Sequence, residues 1–289
     1  MESNIEFDEI ISPKWSGCHV VKICEDLNLS SLNTKSIGVS HENEMGYLVE
    51  LVADNGLHHV VQLSNNKFES ELNTSALMLS DSDTFFNKPV VSVLSPLETD
   101  VHDDSEYIIW EKEFTYKETK TRDLDELEEF LATIIRQKST IQSVRLIADE
   151  LYTNAVYNAP LSKFGKQLLK VLPFRRYNKP KSAKLFIAQH NDRLVVGCED
   201  QFGSLSVSAL MKRVKSIYEK GVGDSIKFTS STGAGIGTYM IMQACTSYFA
   251  AVFEDKKTLV MGVIPLGVSS RKREELPKNI HLIQYKGGQ

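Results

Sequence analysis

The sequence predicts an α/β protein in two parts, a small unit over residues 1–104 and a larger one over 105–289. Three observations carry this expectation. Between residues 18 and 64 short apolar strands alternate with a helix. An acidic stretch with a proline and no periodicity, SPLETDVHDDSE at 95–106, then breaks the pattern and marks the boundary. Beyond it two amphipathic helices lead into a hairpin, two further helices and two further strands.

Each element has its own signal. CHVVKIC (18–24) and TKSIGVS (34–40) read as strands, and HENEMGYLVELVADNG (41–56) as a helix stopped by Gly56. HHVVQLS (58–64) reads as a strand and 67–86 as a weaker helical segment. YIIWEKEFTY (107–116) is a strand. The stretch 122–137 is a helix with Leu124, Leu127, Leu131, Ile134 and Ile135 on one face, opened by a capping box at Asp123 and Glu126. A second box, Ser139 and Gln142, opens the helix 139–159. KLFIAQHNDRLVVGCED (184–200) is a hairpin turning at Asn191 and Asp192. A helix near 205–220, a loop over 221–237, a helix over 236–247 and strands at 248–254 and 258–266 complete the set.

Composition bounds the function. Hydrophobic residues make up 42% and charged residues 25%, a globular composition. A net charge of −5 argues against a general nucleic-acid binder, and basic clusters at 170–181 and 271–273 read as solvated loops. No apolar run reaches the roughly 18 residues of a membrane span. The N-terminus lacks the basic and apolar regions of a signal peptide, so a cytoplasmic protein is expected. Cys18, Cys24, Cys198 and Cys245 show no CxxC spacing and read as reduced thiols, and the histidines show no zinc-binding pattern.

Three stretches could carry chemistry. In IADELYTNAVYNAP (147–160), Glu150, Asn154 and Asn158 run along one flank of a stripe made by Val144, Ile147, Ala148, Leu151 and Ala155. There a carboxylate and an asparagine oxygen one turn apart could act on a magnesium-bound polyphosphate; alone, the row reads first as a helix with a polar margin. In VVGCEDQFGSL (195–205), Asp200 at a strand end could accept a hydrogen bond from an exocyclic amine, and Gly203 could let the chain pass close to a base; alone, the stretch reads first as a strand ending in a polar turn. In TGAGIGTYMIM (232–242), Gly233, Gly235 and Gly237 open a helix, suited either to phosphate or to tight helix packing.

Their order, with the intervening elements, resembles the N, G1 and G2 boxes of the GHKL (Bergerat-fold, histidine kinase-like) ATPases over residues 107–268, and most resembles the anti-sigma-factor serine kinases of bacteria. The resemblance implies a two-layer α/β sandwich for 105–289, a mixed, largely antiparallel sheet with helices on one face, binding ATP or ADP with Mg²⁺. By position it makes Glu150 the general base, Asn154 the magnesium ligand and Asp200 the reader of the adenine amine. It places Gly233, Gly235 and Gly237 beside the phosphates and Thr258 at the adenine, with Asn158 near the nucleotide. The implied partner is a protein regulator, an antagonist or a sigma-factor-like protein, with no nucleic acid or membrane and a homodimer left open.

The pattern also departs from the family. After Asp200 come Gln201, Phe202, Gly203 and Ser204 where Asp-x-Gly-x-Gly is usual, so the base pocket is expected to be reshaped. The segment 157–184 is long, either a lid or partner surface or a decorated loop. Residues 1–104 faintly resemble a receiver domain, with Glu25 and Asp26 after a strand but no aspartate closing SIGVS. Two functions follow: a serine/threonine kinase acting on a protein antagonist in a partner-switching circuit, or a module that docks a regulator with or without nucleotide.

Overall fold

The alternating apolar strands and amphipathic helices assemble around one nine-stranded sheet. The computed structural model describes residues 18–23, 35–42, 44–96, 103–114, 119–159, 182–222 and 234–286. In chain order these form β1 (His19–Lys22), β2 (Ser36–Ser40), α1 (Met45–Asn55), β3 (His59–Gln62), α2 (Phe68–Ser80), α3 (Ser82–Asn87) and α4 (Pro89–Leu94). Then come β4 (Ile108–Phe114), α5 (Lys120–Ile134), α6 (Lys138–Thr153) with a π-turn at Asn154–Asn158, β5 (Ala183–His190), β6 (Arg193–Asp200) and α7 (Val207–Lys220). The chain finishes with α8 (Ala234–Ala244), β7 (Ser247–Phe253), β8 (Lys257–Pro265), α9 (Ser270–Glu274) and β9 (Asn279–Tyr285).

The strand order is β1-β2-β3-β9-β7-β8-β6-β5-β4. Pairing is antiparallel except for β1–β2, β2–β3 and β7–β9, which are parallel. The expected mixed, largely antiparallel sheet of the C-terminal stretch is present. Side chains alternate across it, so Leu194, Val196 and Cys198 of β6 join one core while Val195 joins another. The first core lies under α1, α5, α6, α7 and α8. The second lies under α2, α3 and α4 of the N-terminal stretch. Strands from both sides of residue 105 share this sheet, joined where β3 pairs with β9 at His59↔His281 and Val60↔Ile280.

Local signals explain most boundaries. Gly56 ends α1 in the left-handed region at φ 70°, as expected, and Asn191 takes φ 52° at the hairpin turn. The helical segment expected over 67–86 divides at Asp81, whose carboxylate accepts from the Thr84 amide at 3.1 Å and caps α3.

Neither expected capping box forms. Helix α5 starts earlier, at Lys120, which leaves Asp123 inside its first turn. There it accepts from Thr119 Oγ1 at 2.6 Å and pairs with Lys112 at 3.0 Å. Helix α6 starts at Lys138, one residue before Ser139. Ile134, expected on the apolar face of α5, is exposed because that helix ends beside it. Strand β9 and helices α4 and α9 add to the expected set. The strand end at Cys24, with Glu25 and Asp26, lies outside the described residues, as does most of 157–184.

Candidate functional site

The site grows from the end of helix α6. Its expected core stripe, Val144, Ile147, Ala148, Leu151 and Ala155, is buried, which leaves Glu150, Asn154 and Asn158 along the flank. Arg145 fixes this helix on α5 by donating to the Leu124 carbonyl at 3.0 Å, Glu128 at 2.7 Å and Asp125 at 2.8 Å. The three flanking residues form a hydrogen-bonded row. Asn154 Nδ2 donates to Glu150 Oε1 at 3.0 Å, and Asn158 Nδ2 donates to Asn154 Oδ1 at 2.6 Å. The π-turn carries Asn154 and Asn158, with the Ala159 amide bonded to the Asn154 carbonyl. Ser204 Oγ then donates to the Ala159 carbonyl at 2.8 Å, tying the helix end to the turn after β6.

Between this helix, α7, α8 and the sheet lies a cavity of about 320 Å³. That is at the lower end of the size of pockets that hold small organic ligands. Asn154, Asn158, Asp200 and Thr258 all line it, so four of the residues singled out in the sequence meet in one place. The cross-strand pairs Asp200↔Thr258 and Cys198↔Val260 form its sheet-side wall.

Asp200 is 7% exposed, and burial pushes its carboxyl up to about 6, against the hydrogen bond that its Oδ1 accepts from the Phe202 amide at 2.8 Å. Thr258 stands beside that carboxylate, and its buried hydroxyl helps to hold the carboxyl down against the effect of burial. Burial also raises the Cys198 thiol well above its usual value, so that wall keeps its proton and is chemically inert.

Glu150 sits differently. It is absent from the cavity wall and packs on α8, where a Cβ at Gly237 would lie 1.7 Å from its carboxyl carbon. Gly237 is therefore required by this close approach. Burial raises the Glu150 carboxyl, Asn154's amide lowers it and Asp149 adds to the rise; the net direction is up.

Gly235 lies against Arg213 and Ile217 of α7, so both described glycines of the triplet pack helices together. Gly233 lies outside the described residues. Gly203 does not line the cavity either. It has φ 58°, and a Cβ there would come within 2.2 Å of the Phe253 carbonyl oxygen in the β7–β8 turn. Its lack of a side chain serves that turn rather than a base.

Sequence reasoning missed other lining residues. Ser206, which caps α7, and Ala209, Leu210 and Arg213 within it line the cavity at spacings of three, four and seven from Ser206, one helical stripe. That periodicity was readable, but nothing in one helix tells a cavity stripe from a core stripe.

No protein-family model matches the chain, and no curated protein matches it. Among solved structures it is similar to a chain in the crystal structure of the SiaB-SiaC complex from Pseudomonas aeruginosa. The identity is 17% and the TM-score 0.38, over 55% of this chain and 91% of that one. Likeness at that level assigns neither family nor function. No helix among the described residues is long and apolar enough to cross a membrane.

Proposed function

We propose that the chain is an ATP- and Mg²⁺-binding regulatory protein of the anti-sigma-factor type, with the adenosine in the cavity and the Glu150–Asn154–Asn158 row toward the phosphates. The observation that carries this reading is the wall pair Asp200 and Thr258, a buried carboxylate beside a buried hydroxyl in the lining of a cavity of about 320 Å³. Asp200 can accept the adenine amine, and Thr258 beside it lies where the resemblance puts the threonine at the adenine.

The metal end is also compatible with the residues present. Asn154 Oδ1 has one lone pair engaged by Asn158 and a second available, which suits a hard cation. No group of three or more His, Cys, Asp or Glu placed to hold a metal occurs among the described residues. The ion would then be shared between Asn154 and the phosphates, where it would neutralise their charge. In the kinase form of the reading Glu150 takes the proton of a serine or threonine hydroxyl on a protein antagonist as the phosphoryl group leaves ATP for that oxygen. Its raised pKa suits a general base.

One observation favours a second reading, a module that docks a regulator without catalysis. Glu150 is held by Asn154 and Gly237 away from the cavity wall. The variant Glu150→Gln separates the two. The kinase reading predicts that phosphotransfer to the antagonist disappears while Mg-ATP affinity stays within about threefold, a change of under 1 kcal/mol. Wild-type protein that binds Mg-ATP but transfers no phosphate leaves the module reading standing. Loss of binding in the variant would show that Glu150 holds nucleotide instead.

A further inference from the structure

The basic run Arg271–Lys272–Arg273 reads in the sequence as a solvated loop, and the structure divides it. Arg271 and Lys272 are exposed, whereas Arg273 is 1% exposed. Its Nε, Nη1 and Nη2 are all buried, and none meets a hydrogen-bond partner among the described residues. A guanidinium does not give up its proton, so this is a buried positive charge without a counter-ion among the described residues, an arrangement that folded proteins rarely keep. Lys278 nearby is also buried, but its Nζ is committed to the C-terminal end of α8, donating to the Gln243 carbonyl at 3.0 Å and the Cys245 carbonyl at 2.7 Å.

Arg273 lines a groove of about 240 Å³, separate in its lining from the nucleotide cavity. The walls are Ser143 and Leu146 of α6, Tyr239 and Gln243 of α8, and Ser270 and Glu274 of α9. The groove thus combines an uncommitted buried cation, hydroxyl and carboxamide groups, and an exposed apolar side chain, Leu146. One fixed charge on a planar fork fits a carboxylate, bidentate and singly charged. The Glu274 carboxylate on the rim opposes a doubly charged phosphate more than a monoanion.

We propose that this groove is a carboxylate-binding site in which the Arg273 fork turns out of its buried position into the groove to anchor the acid, with Ser143, Ser270 and Gln243 as polar walls. The carboxylate belongs either to a small organic acid or to an acidic side chain of a partner protein. The site is independent of the nucleotide reading.

The test is thermal denaturation of the full chain in sodium acetate against sodium chloride at matched ionic strength, with a short blocked glutamate peptide as a second arm. Acetate is expected to raise the midpoint saturably, and Arg273→Met to weaken half-saturation about tenfold or more. Arg273→Lys, which keeps the charge and loses the fork, is expected to fall between them. Saturation by the peptide at much lower concentration assigns the carboxylate to a protein partner; equal concentrations assign it to a free acid. Equal responses to acetate and chloride, or an undiminished response in Arg273→Met, would overturn the proposal. So would a response seen only in Glu274→Gln, because the chain's own carboxylate would then be closing the site.

Discussion

Asp200 is where burial and chemistry oppose each other most directly. Its folded pKa of about 6 lies above the usual carboxylate value of about 3.9, so the folded chain keeps a proton that the unfolded chain has released across that window. Stability therefore falls as pH rises from about 4 to 6, by on the order of 2–3 kcal/mol from this group. Urea unfolding at several pH values should show this slope in the wild type and lose it in Asp200→Asn. An amine donor favours the ionised carboxylate, so nucleotide affinity should rise through the same window.

The acid was legible at a strand end, since its residue type and position are local facts. The role of Gly203 was not, because the Phe253 carbonyl that requires it comes from a turn 50 positions on. Glu150, Asn154 and Asn158 were legible as a row by spacing, but not that Asn158 occupies a lone pair of Asn154.

At the scale of elements, strand β9 matters most to the account. NIHLIQY is short and follows a basic, proline-containing stretch, so local pattern gives it little weight against the tail of a domain. Long-range pairing decides otherwise. It lies between β3 and β7, with Ile280 and Leu282 fully buried. Ile280→Ala should therefore cost about 2–5 kcal/mol, measured by chemical denaturation. A cost under ~0.5 kcal/mol would mean that the strand is peripheral. The strands from β4 to β8 and helices α5 to α8 were readable because amphipathic periodicity and turn residues agree there. Capping was misread at α5 and α6 because a box motif is local, while Asp123 is drawn instead to Lys112 of β4 and to Tyr152, whose hydroxyl donates to it at 3.2 Å.

At the scale of the molecule, a buried polar cluster ties the N-terminal helices to the C-terminal strands. Glu71 of α2 accepts from Arg193 of β6 at 3.0 Å and Ser247 of β7 at 2.8 Å, and meets His281 of β9 at 2.9 Å. His281 in turn meets Ser75 at 2.8 Å and stacks on Phe249. Burial pushes the Glu71 carboxyl up, but the bond to His281 and the charge of Arg193 outweigh it and hold it below the usual range. Its contribution is present above the unfolded value of about 4.3 and is lost as pH falls through the folded one. Glu71→Gln should cost about 3–5 kcal/mol at neutral pH, because it leaves the Arg193 charge buried without its counter-ion. Urea titration checks this, and a loss below about 1 kcal/mol would show that the two parts hold together without the cluster.

If, as proposed, the cavity beside Asp200 holds an adenine nucleotide, Mg-ATP must stabilise the folded chain. Thermal denaturation with and without Mg-ATP, in the wild type and in Asp200→Asn, tests it most directly. Nucleotide at about 100 times its dissociation constant should stabilise the wild type by about 2.7 kcal/mol, and by much less in the variant at the same concentration. No shift in the wild type at millimolar Mg-ATP, or an equal shift in both proteins, would contradict it.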